Sequence, residues 1–255
     1  MTQGADLLPA GAVPVEPDRP RPWRTAYADG IAFVGRAMLA GLVCGALVGG
    51  VGGRLAMFVL RLTSSDAVRG MDTDDGFTIG VVTFATFFLI VSGAFVGAMG
   101  GLLYLVVRGW FPPRGRPVMF GLVGAALGGA LFINPDGVDF TVVGPHWLAV
   151  ALFVLLPAVY GVALSLLAER LLRPGGWQRS RWRWLAALPL ASLLIIGPLA
   201  LTLLVVIALI IGANRSARVA RLWRSPSLIW LGRGLIAVIL GTSGVQLARD
   251  VVAVL

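Results

Sequence analysis

The residues best suited to chemistry lie in, or just before, two polar segments of a very apolar chain. They are two arginines, six aspartates and the only histidine: Arg54, Arg61, Asp66, Asp72, Asp74, Asp75, Asp136, Asp139 and His146. Guanidinium groups bind phosphates and other anions through paired hydrogen bonds, whereas carboxylates can hold a cation or transfer protons. This set therefore indicates a polar pocket that holds an anionic headgroup or phosphate beside acidic groups.

A purely structural interpretation of the same residues is an ion-paired cap. Arg54 and Arg61 are seven residues apart, so they lie on roughly one helix face, two turns apart. An arginine at a membrane boundary is costly unless it is paired, and the nearby aspartates are its natural partners. Under this interpretation the charges only fix the loops to the helix ends.

Metal, cofactor and catalytic motifs are missing from the sequence. The single cysteine, Cys44, excludes an internal disulfide, and the single histidine excludes a histidine metal cluster. Asp72, Asp74 and Asp75 resemble half of a calcium loop that lacks its glycine and distal glutamate. Nucleophile-elbow, P-loop and zinc-hydrolase patterns are also absent. We therefore predict no metal and no cofactor, and the catalytic residues, if any exist, stay unknown.

The elements that must position these residues are membrane-spanning helices. Of 255 residues, 58% are hydrophobic and 13% charged, whereas soluble domains carry about 25% charged residues. Apolar helices of about 20 residues cross the ~30 Å hydrocarbon layer. We predict an all-α, polytopic transmembrane helical bundle of about six spans, at 31–62, 77–107, 118–133, 147–168, 185–211 and 228–247. Residues 1–30 are predicted to be a disordered cytoplasmic tail, and 31–255 the transmembrane domain.

Arginine placement predicts the orientation. All 21 basic residues are arginines clustered at the ends of apolar runs, where basic residues orient helices with the positive side inward. The N-terminus is thus predicted in the cytoplasm, the protein in a bacterial plasma membrane, and the aspartate-rich segments outside. Without a basic soluble module, nucleic acid is not an expected partner. Glu169 beside Arg170 is interpreted as an ordinary pair at a helix end.

The fifth connection, 212–227, conflicts with this arrangement. Its four arginines would face outside if all six spans crossed plainly. A re-entrant hairpin folded at Gly197 and Pro198 would return them to the cytoplasm, provided that protein shields its backbone. Both arrangements stay open from sequence alone, and so does the side of the C-terminus.

Glycines at helical spacing mark the first three spans. Glycines three or four residues apart share a helix face and let backbones approach closely. We predict that they pack spans one to three together, at Gly45, Gly49, Gly52, Gly53, Gly93, Gly97, Gly100, Gly101, Gly121, Gly124 and Gly128. The first two runs also match at an offset of 48 residues. An inverted transporter repeat would explain that match, but dense packing is the simpler interpretation.

Three stretches carry a resemblance to a known group. They read GGRLAMFVLRLTSSD…TDDGFTIG, NPDGVDFTVVGPHWLAVALF and AERL, within residues 49–171. These stretches are similar to a group of uncharacterised actinobacterial multi-pass membrane proteins. The resemblance implies an actinobacterial integral membrane protein, and it implies no catalytic residues because the group has no assigned activity.

The leading functional hypothesis is a non-enzymatic plasma-membrane protein that binds a lipid or a partner membrane protein at its outer face. Its expected partners are the lipid bilayer and either a lipid headgroup or another membrane protein. One alternative is a membrane-embedded enzyme acting on a lipid or isoprenoid, with Asp72, Asp74, Asp75 or His146 as acid or base. The third is a passive channel or carrier, although no helix face is polar over the length of a pore.

Overall fold

The computed structural model describes residues 23–64, 84–137, 140, 145–173, 188–191, 221 and 225–255, nearly all of them helical and none in a strand. The helices are α1 (Trp23–Cys44), α2 (Gly53–Thr63), α3 (Phe84–Val107), α4 (Arg116–Phe132), α5 (His146–Leu172), the short α6 (Leu188–Ala191) and α7 (Pro226–Val254). A π-helical stretch, Gly45–Gly52, joins α1 directly to α2. For the described residues, the prediction of an all-α fold is confirmed.

Four helical stretches are long and apolar enough to cross a membrane: Ala28–Thr63, Thr86–Val107, His146–Leu172 and Pro226–Val254. Helix α4 has 17 residues and is therefore about 25 Å long, somewhat shorter than the ~30 Å hydrocarbon layer. Large apolar side chains such as Leu131 and Trp230 are exposed on the outside of the bundle. These features fit a membrane-embedded protein, because lipid takes the place of water around such side chains.

The first helix begins earlier than predicted. Helix α1 starts at Trp23, so residues 23–30 of the predicted disordered tail are helical, and residues 1–22 lie outside the described chain. Prolines interrupt the sequence up to Pro22 and none follows until Pro112, so the backbone can form a helix as soon as the proline-rich segment ends.

The other helix ends also differ from the predicted spans. Helix α5 continues to Leu172 instead of residue 168, and α7 continues to Val254 instead of residue 247. Residues 77–83 of the second predicted span lie outside the described chain, as does the fifth predicted span apart from 188–191. Glu169 lies in the last turn of α5, where a charged side chain costs less than in the middle of an apolar helix.

Glycines line the contact between α1, its π-helical continuation and α3. A Cβ atom added at Gly45 would overlap the carbonyl oxygen of Gly93, and one added at Gly97 would overlap that of Gly41. Only residues without side chains allow backbones to approach this closely. Four glycines within eight residues also weaken the preference for α-helix, which accounts for the wider π turns at this place.

Three of the four glycines of α4 face α5 instead of the first two spans, and the fourth, Gly129, lies closest to Leu247 of α7. A Cβ atom at Gly124 or Gly128 would overlap Pro157, and one at Gly121 would lie 2.6 Å from Cγ2 of Val162. Pro157 lies inside α5, where its ring needs space that a side chain on α4 would occupy. The glycines at 121, 124 and 128 therefore allow close packing between α4 and α5. The sequence had instead predicted that they pack span three against spans one and two.

The bundle has two ends, which we name after residues of their turns. At the Trp110 end, the turn 108–115 joins α3 to α4, and Leu172 at the end of α5 shares a buried cluster with Phe111. At the Asp136 end, α4 finishes and α5 begins. A second buried cluster lies there, formed by Leu60, Ile133, Phe140, Ala149, Val150 and Val254. Helices α2 and α7 therefore also finish at the Asp136 end.

Helix α7 starts at the Trp110 end and runs parallel to α4. Near its start, Nε of Arg233 donates to the carbonyl oxygen of Trp110 at 2.9 Å. Near its end, Nε2 of Gln246 donates to the carbonyl oxygen of Ala130 at 3.4 Å. Six plain crossings would require α7 to begin at the Asp136 end, so its observed direction differs from that expectation.

Candidate functional site

Glu169, in the last turn of α5, connects three other parts of the bundle. Nη2 of Arg108 and Nη1 of Arg116 lie 3.2 Å and 3.1 Å from its Oε1 atom. The hydroxyl of Tyr104 donates to the same oxygen at 2.8 Å. A single carboxylate thus links α5 to α3, to the turn after α3 and to the first residue of α4.

Helical spacing explains why these groups meet. Tyr104 and Arg108 are four residues apart at the end of α3, and Ser165 and Glu169 are four apart at the end of α5, so each pair shares a helix face. Ser165 donates to the Tyr104 hydroxyl at 3.1 Å, and both side chains are buried. Nε of Arg116 donates to the carbonyl oxygen of Arg108 at 3.1 Å. The polar groups therefore satisfy one another where four segments converge.

A third guanidinium, that of Arg36 in α1, lies at the same end of the bundle. The residue is only 5% exposed. Its Nε donates to the carbonyl oxygen of Ala32 at 2.9 Å, and its Nη1 to that of Leu171 at 3.3 Å. The carbonyl of Leu171 belongs to the last turn of α5, where helix carbonyls lack intrahelical partners and the helix dipole is negative. Arg36 thus caps α5 and ties it to α1.

The resulting group, which we call the arginine cluster, comprises Arg36, Arg108, Arg116 and Glu169. Both ion pairs in the described part of the chain use Glu169, so Arg108 and Arg116 share one carboxylate. Arg36 interacts electrostatically with Asp29, and the three guanidiniums still outnumber the two carboxylates, which leaves a net positive charge. The side chains of Arg108, Arg116 and Glu169 are 23%, 17% and 29% exposed. The cluster is therefore buried on its α1 side and open at the rim of the bundle.

The residues predicted for the outer face are only partly described. Arg54 is half-buried in α2, and its Nε donates to Oγ1 of Thr86 in α3 at 3.0 Å, a contact that its Nη2 shares. Arg61 and His146 are half-buried and Asp136 is exposed. The remaining predicted residues lie outside the described chain: Asp66, Asp72, Asp74, Asp75 and Asp139. Within the residues described, no group of three or more potential metal ligands occurs.

Reasoning from the sequence missed the arginine cluster because it assigned Glu169 the wrong partner. Neighbouring residues on a helix do not face each other, so Arg170 is exposed while Glu169 turns toward Arg108 and Arg116. The sequence did contain one indication of the cluster, which is the spacing of its residues. Tyr104 precedes Arg108 by four positions, and Ser165 precedes Glu169 by four positions, so each pair lies on one helix face. Arg36 gave no such signal, because only tertiary packing brings it to α5.

Comparisons of the whole chain with protein-family models, with curated proteins and with solved structures find no match. The resemblance to actinobacterial membrane proteins consequently stays a prediction.

Proposed function

We propose that the protein is a bacterial plasma-membrane bundle with a cytoplasmic N-terminus, which acts by binding an anionic lipid at its outer end and not by catalysis. Its long apolar helices are compatible with a membrane protein. The predicted orientation puts the Trp110 end, with its arginine cluster, in the cytoplasm and the Asp136 end outside, in agreement with the positive-inside rule.

The direction of α7 supports an odd number of crossings. Because α5 finishes and α7 begins at the Trp110 end, the chain between them must return to the side from which it left. A re-entrant hairpin folded at Gly197 and Pro198, the alternative that the sequence left open to a plain fifth crossing, would satisfy this requirement. It also keeps the four arginines of 212–227 on the side that carries the turn 108–115, which removes the conflict in the arginine pattern. The C-terminus then lies outside.

This arrangement predicts the labelling of engineered cysteines. In a Cys44→Ala background, an impermeant thiol reagent added to intact cells should label Leu255→Cys as strongly as Asp136→Cys. Arg114→Cys and Ser216→Cys should become reactive only after the membrane is permeabilised. Labelling of Ser216→Cys from outside, together with protection of Leu255→Cys, would instead establish six plain crossings.

The outer-end binding proposal depends on the position of Arg54. Arg36 and Arg54 are 18 residues apart on one helical stretch, which is at most about 27 Å along it because the π-helical residues Gly45–Gly52 rise less per residue. This span approaches the ~30 Å hydrocarbon thickness. If the arginine cluster marks one rim of the membrane, Arg54 lies near the other rim. Its bonds to Thr86 hold the guanidinium between α2 and α3.

Beyond Arg54, helix α2 presents an apolar stripe. Leu55, Phe58 and Leu62 are exposed and, at spacings of three and four, they share one helix face. A cation beside an exposed apolar stripe matches an amphiphile with an anionic head and hydrocarbon chains. This juxtaposition is the observation that carries the proposal and favours a lipid over a partner membrane protein.

Mass spectrometry of the intact protein with bound lipid tests this proposal. We expect Arg54→Gln to weaken binding of phosphatidylglycerol about tenfold, the effect of losing one charge-assisted hydrogen bond. Arg249→Gln, which removes an exposed arginine from the same end of the bundle, is the matched control and should have no effect. Equal affinity of the Arg54→Gln and Arg249→Gln variants for phosphatidylglycerol would refute the outer-end site. If the protein instead turned over added lipid, and Asp74→Asn lost that turnover, the enzyme alternative would be established.

A further inference from the structure

We propose that the arginine cluster at the Trp110 end is a second, separate lipid site, which binds the phosphodiester headgroup of an acidic phospholipid from the adjacent leaflet. This inference concerns the opposite end of the bundle from the outer-end proposal and does not depend on it. It rests on the charge balance of the cluster, on the burial of Arg36 and on the apolar side chains beside it.

Charge balance is the first argument. Glu169 pairs with Arg108 and Arg116, and within the described chain neither ion pair involves Arg36. The charge of the exposed Asp29, two turns earlier in α1, acts on Arg36, so two carboxylates face three guanidiniums and one positive charge is left over. Burying a guanidinium without a compensating anion is costly, and more so at a membrane boundary. Carbonyl oxygens of Ala32 and Leu171 accept its hydrogen bonds, but they carry only partial charges. A phosphate at the rim would supply the negative charge that the cluster lacks.

Unused donors are the second argument. Arg108 directs a single nitrogen, Nη2, at Glu169, and Arg116 uses its Nε and Nη1. A guanidinium offers more N–H groups than these contacts occupy, in a planar fork that matches two phosphate oxygens. Since both side chains are partly exposed at the rim, their remaining donors can reach a headgroup.

The apolar surroundings distinguish a phospholipid from a free anion. Phe33 is exposed and lies under the guanidinium of Arg108, with 6.0 Å between its ring centroid and Cζ. Met119, three residues after Arg116 and therefore on the same face of α4, is also exposed. Acyl chains attached to the bound phosphate would cover these side chains, and basic pockets between transmembrane helices are typical sites for acidic headgroups. Trp110, in the neighbouring turn, belongs to the residue type that is enriched at the headgroup layer.

Intact-protein mass spectrometry with defined lipids tests the assignment, using the full chain in detergent. We expect wild-type protein to retain phosphatidylglycerol in preference to phosphatidylcholine, and Arg108→Gln to weaken phosphatidylglycerol binding at this site about tenfold. Arg114→Gln, which removes an exposed arginine from the same turn, should bind like the wild type. Thermal unfolding of each variant shows whether Arg108→Gln is still folded. The variant Arg116→Lys keeps the positive charge but loses the planar guanidinium, so it should give an intermediate loss of binding.

The number of retained lipids separates this site from the outer-end site. If both exist, wild-type protein binds two phosphatidylglycerol molecules tightly, whereas Arg108→Gln and Arg54→Gln each bind one. Undiminished binding by folded Arg108→Gln would overturn the arginine-cluster site alone. Displacement of the lipid by inorganic phosphate at constant ionic strength would overturn the phospholipid assignment and identify a site for a free anion.

Discussion

Replacement of Gly97 by leucine should prevent α1 from docking on α3 and should abolish recovery of folded protein. A Cβ atom at this position would overlap the carbonyl oxygen of Gly41 and would lie 2.7 Å from Cα and 3.0 Å from N of Gly45. These are backbone atoms of a packed helix, so no rotamer change can relieve the overlap. Overpacking of a tight core costs about 1–3 kcal/mol and sometimes more, and we expect the upper end here because a leucine is much larger than the space.

A matched control is available on α7. A Cβ atom at Gly241 would meet nothing within 4 Å, so Gly241→Leu should purify as a single species that unfolds at or above the wild-type temperature, because leucine favours helix over glycine. Size-exclusion chromatography and thermal unfolding in detergent measure both variants. If Gly97→Leu and Gly241→Leu behaved alike, the close contact between α1 and α3 would be wrong.

Replacement of Glu169 by glutamine should destabilise the Trp110 end of the bundle strongly. The change leaves the guanidiniums of Arg108 and Arg116 without their carboxylate, and removing one partner of a buried ion pair costs about 3–5 kcal/mol. The Glu169 side chain is 29% exposed, so solvent screening lowers our expectation to about 2 kcal/mol. Thermal or denaturant unfolding in detergent measures the loss, and Asp136→Asn, an exposed carboxylate at the other end, should leave stability unchanged.

A double-mutant cycle shows whether the loss comes from the cluster itself. If Glu169 neutralises Arg116, then Arg116→Gln should cost much less stability in the Glu169→Gln background than in the wild type, because the repulsion between unpaired arginines is relieved. Equal costs in the two backgrounds would mean that the residues are not coupled, and the cluster would then be an incidental feature of the helix ends.

Residue identities alone were enough to predict where the chain is helical and apolar. A helix in lipid must satisfy its own backbone hydrogen bonds and must be apolar over about 20 residues. Both requirements are local properties of the sequence, which is why the predicted spans 147–168 and 228–247 fall within the long apolar helices His146–Leu172 and Pro226–Val254. The places of charged residues at the ends of these stretches were predictable for the same reason.

Partner choice between helices was harder to predict. Glycine spacing identified helix faces that permit close approach, but the same spacing in α3 and α4 serves different neighbours. Gly97 contacts backbone atoms of Gly41 in α1 and of Gly45 in its π-helical continuation, whereas Gly124 contacts Pro157 of α5. A glycine in the sequence indicates that another helix can approach closely at that position, but it does not indicate which helix does so.

By itself, the sequence determined the all-helical class, the positions of the long apolar helices and the placement of charges near their ends, because lipid solvation acts on each segment separately. Only the tertiary structure decided that Arg108 and Arg116 converge on Glu169, that Arg36 caps the end of α5, and that α7 starts at the same end at which α5 finishes. Those features depend on how helices far apart in the chain pack side by side. Packing energies between apolar helix faces are similar for many arrangements, so the choice among them is made by the whole bundle.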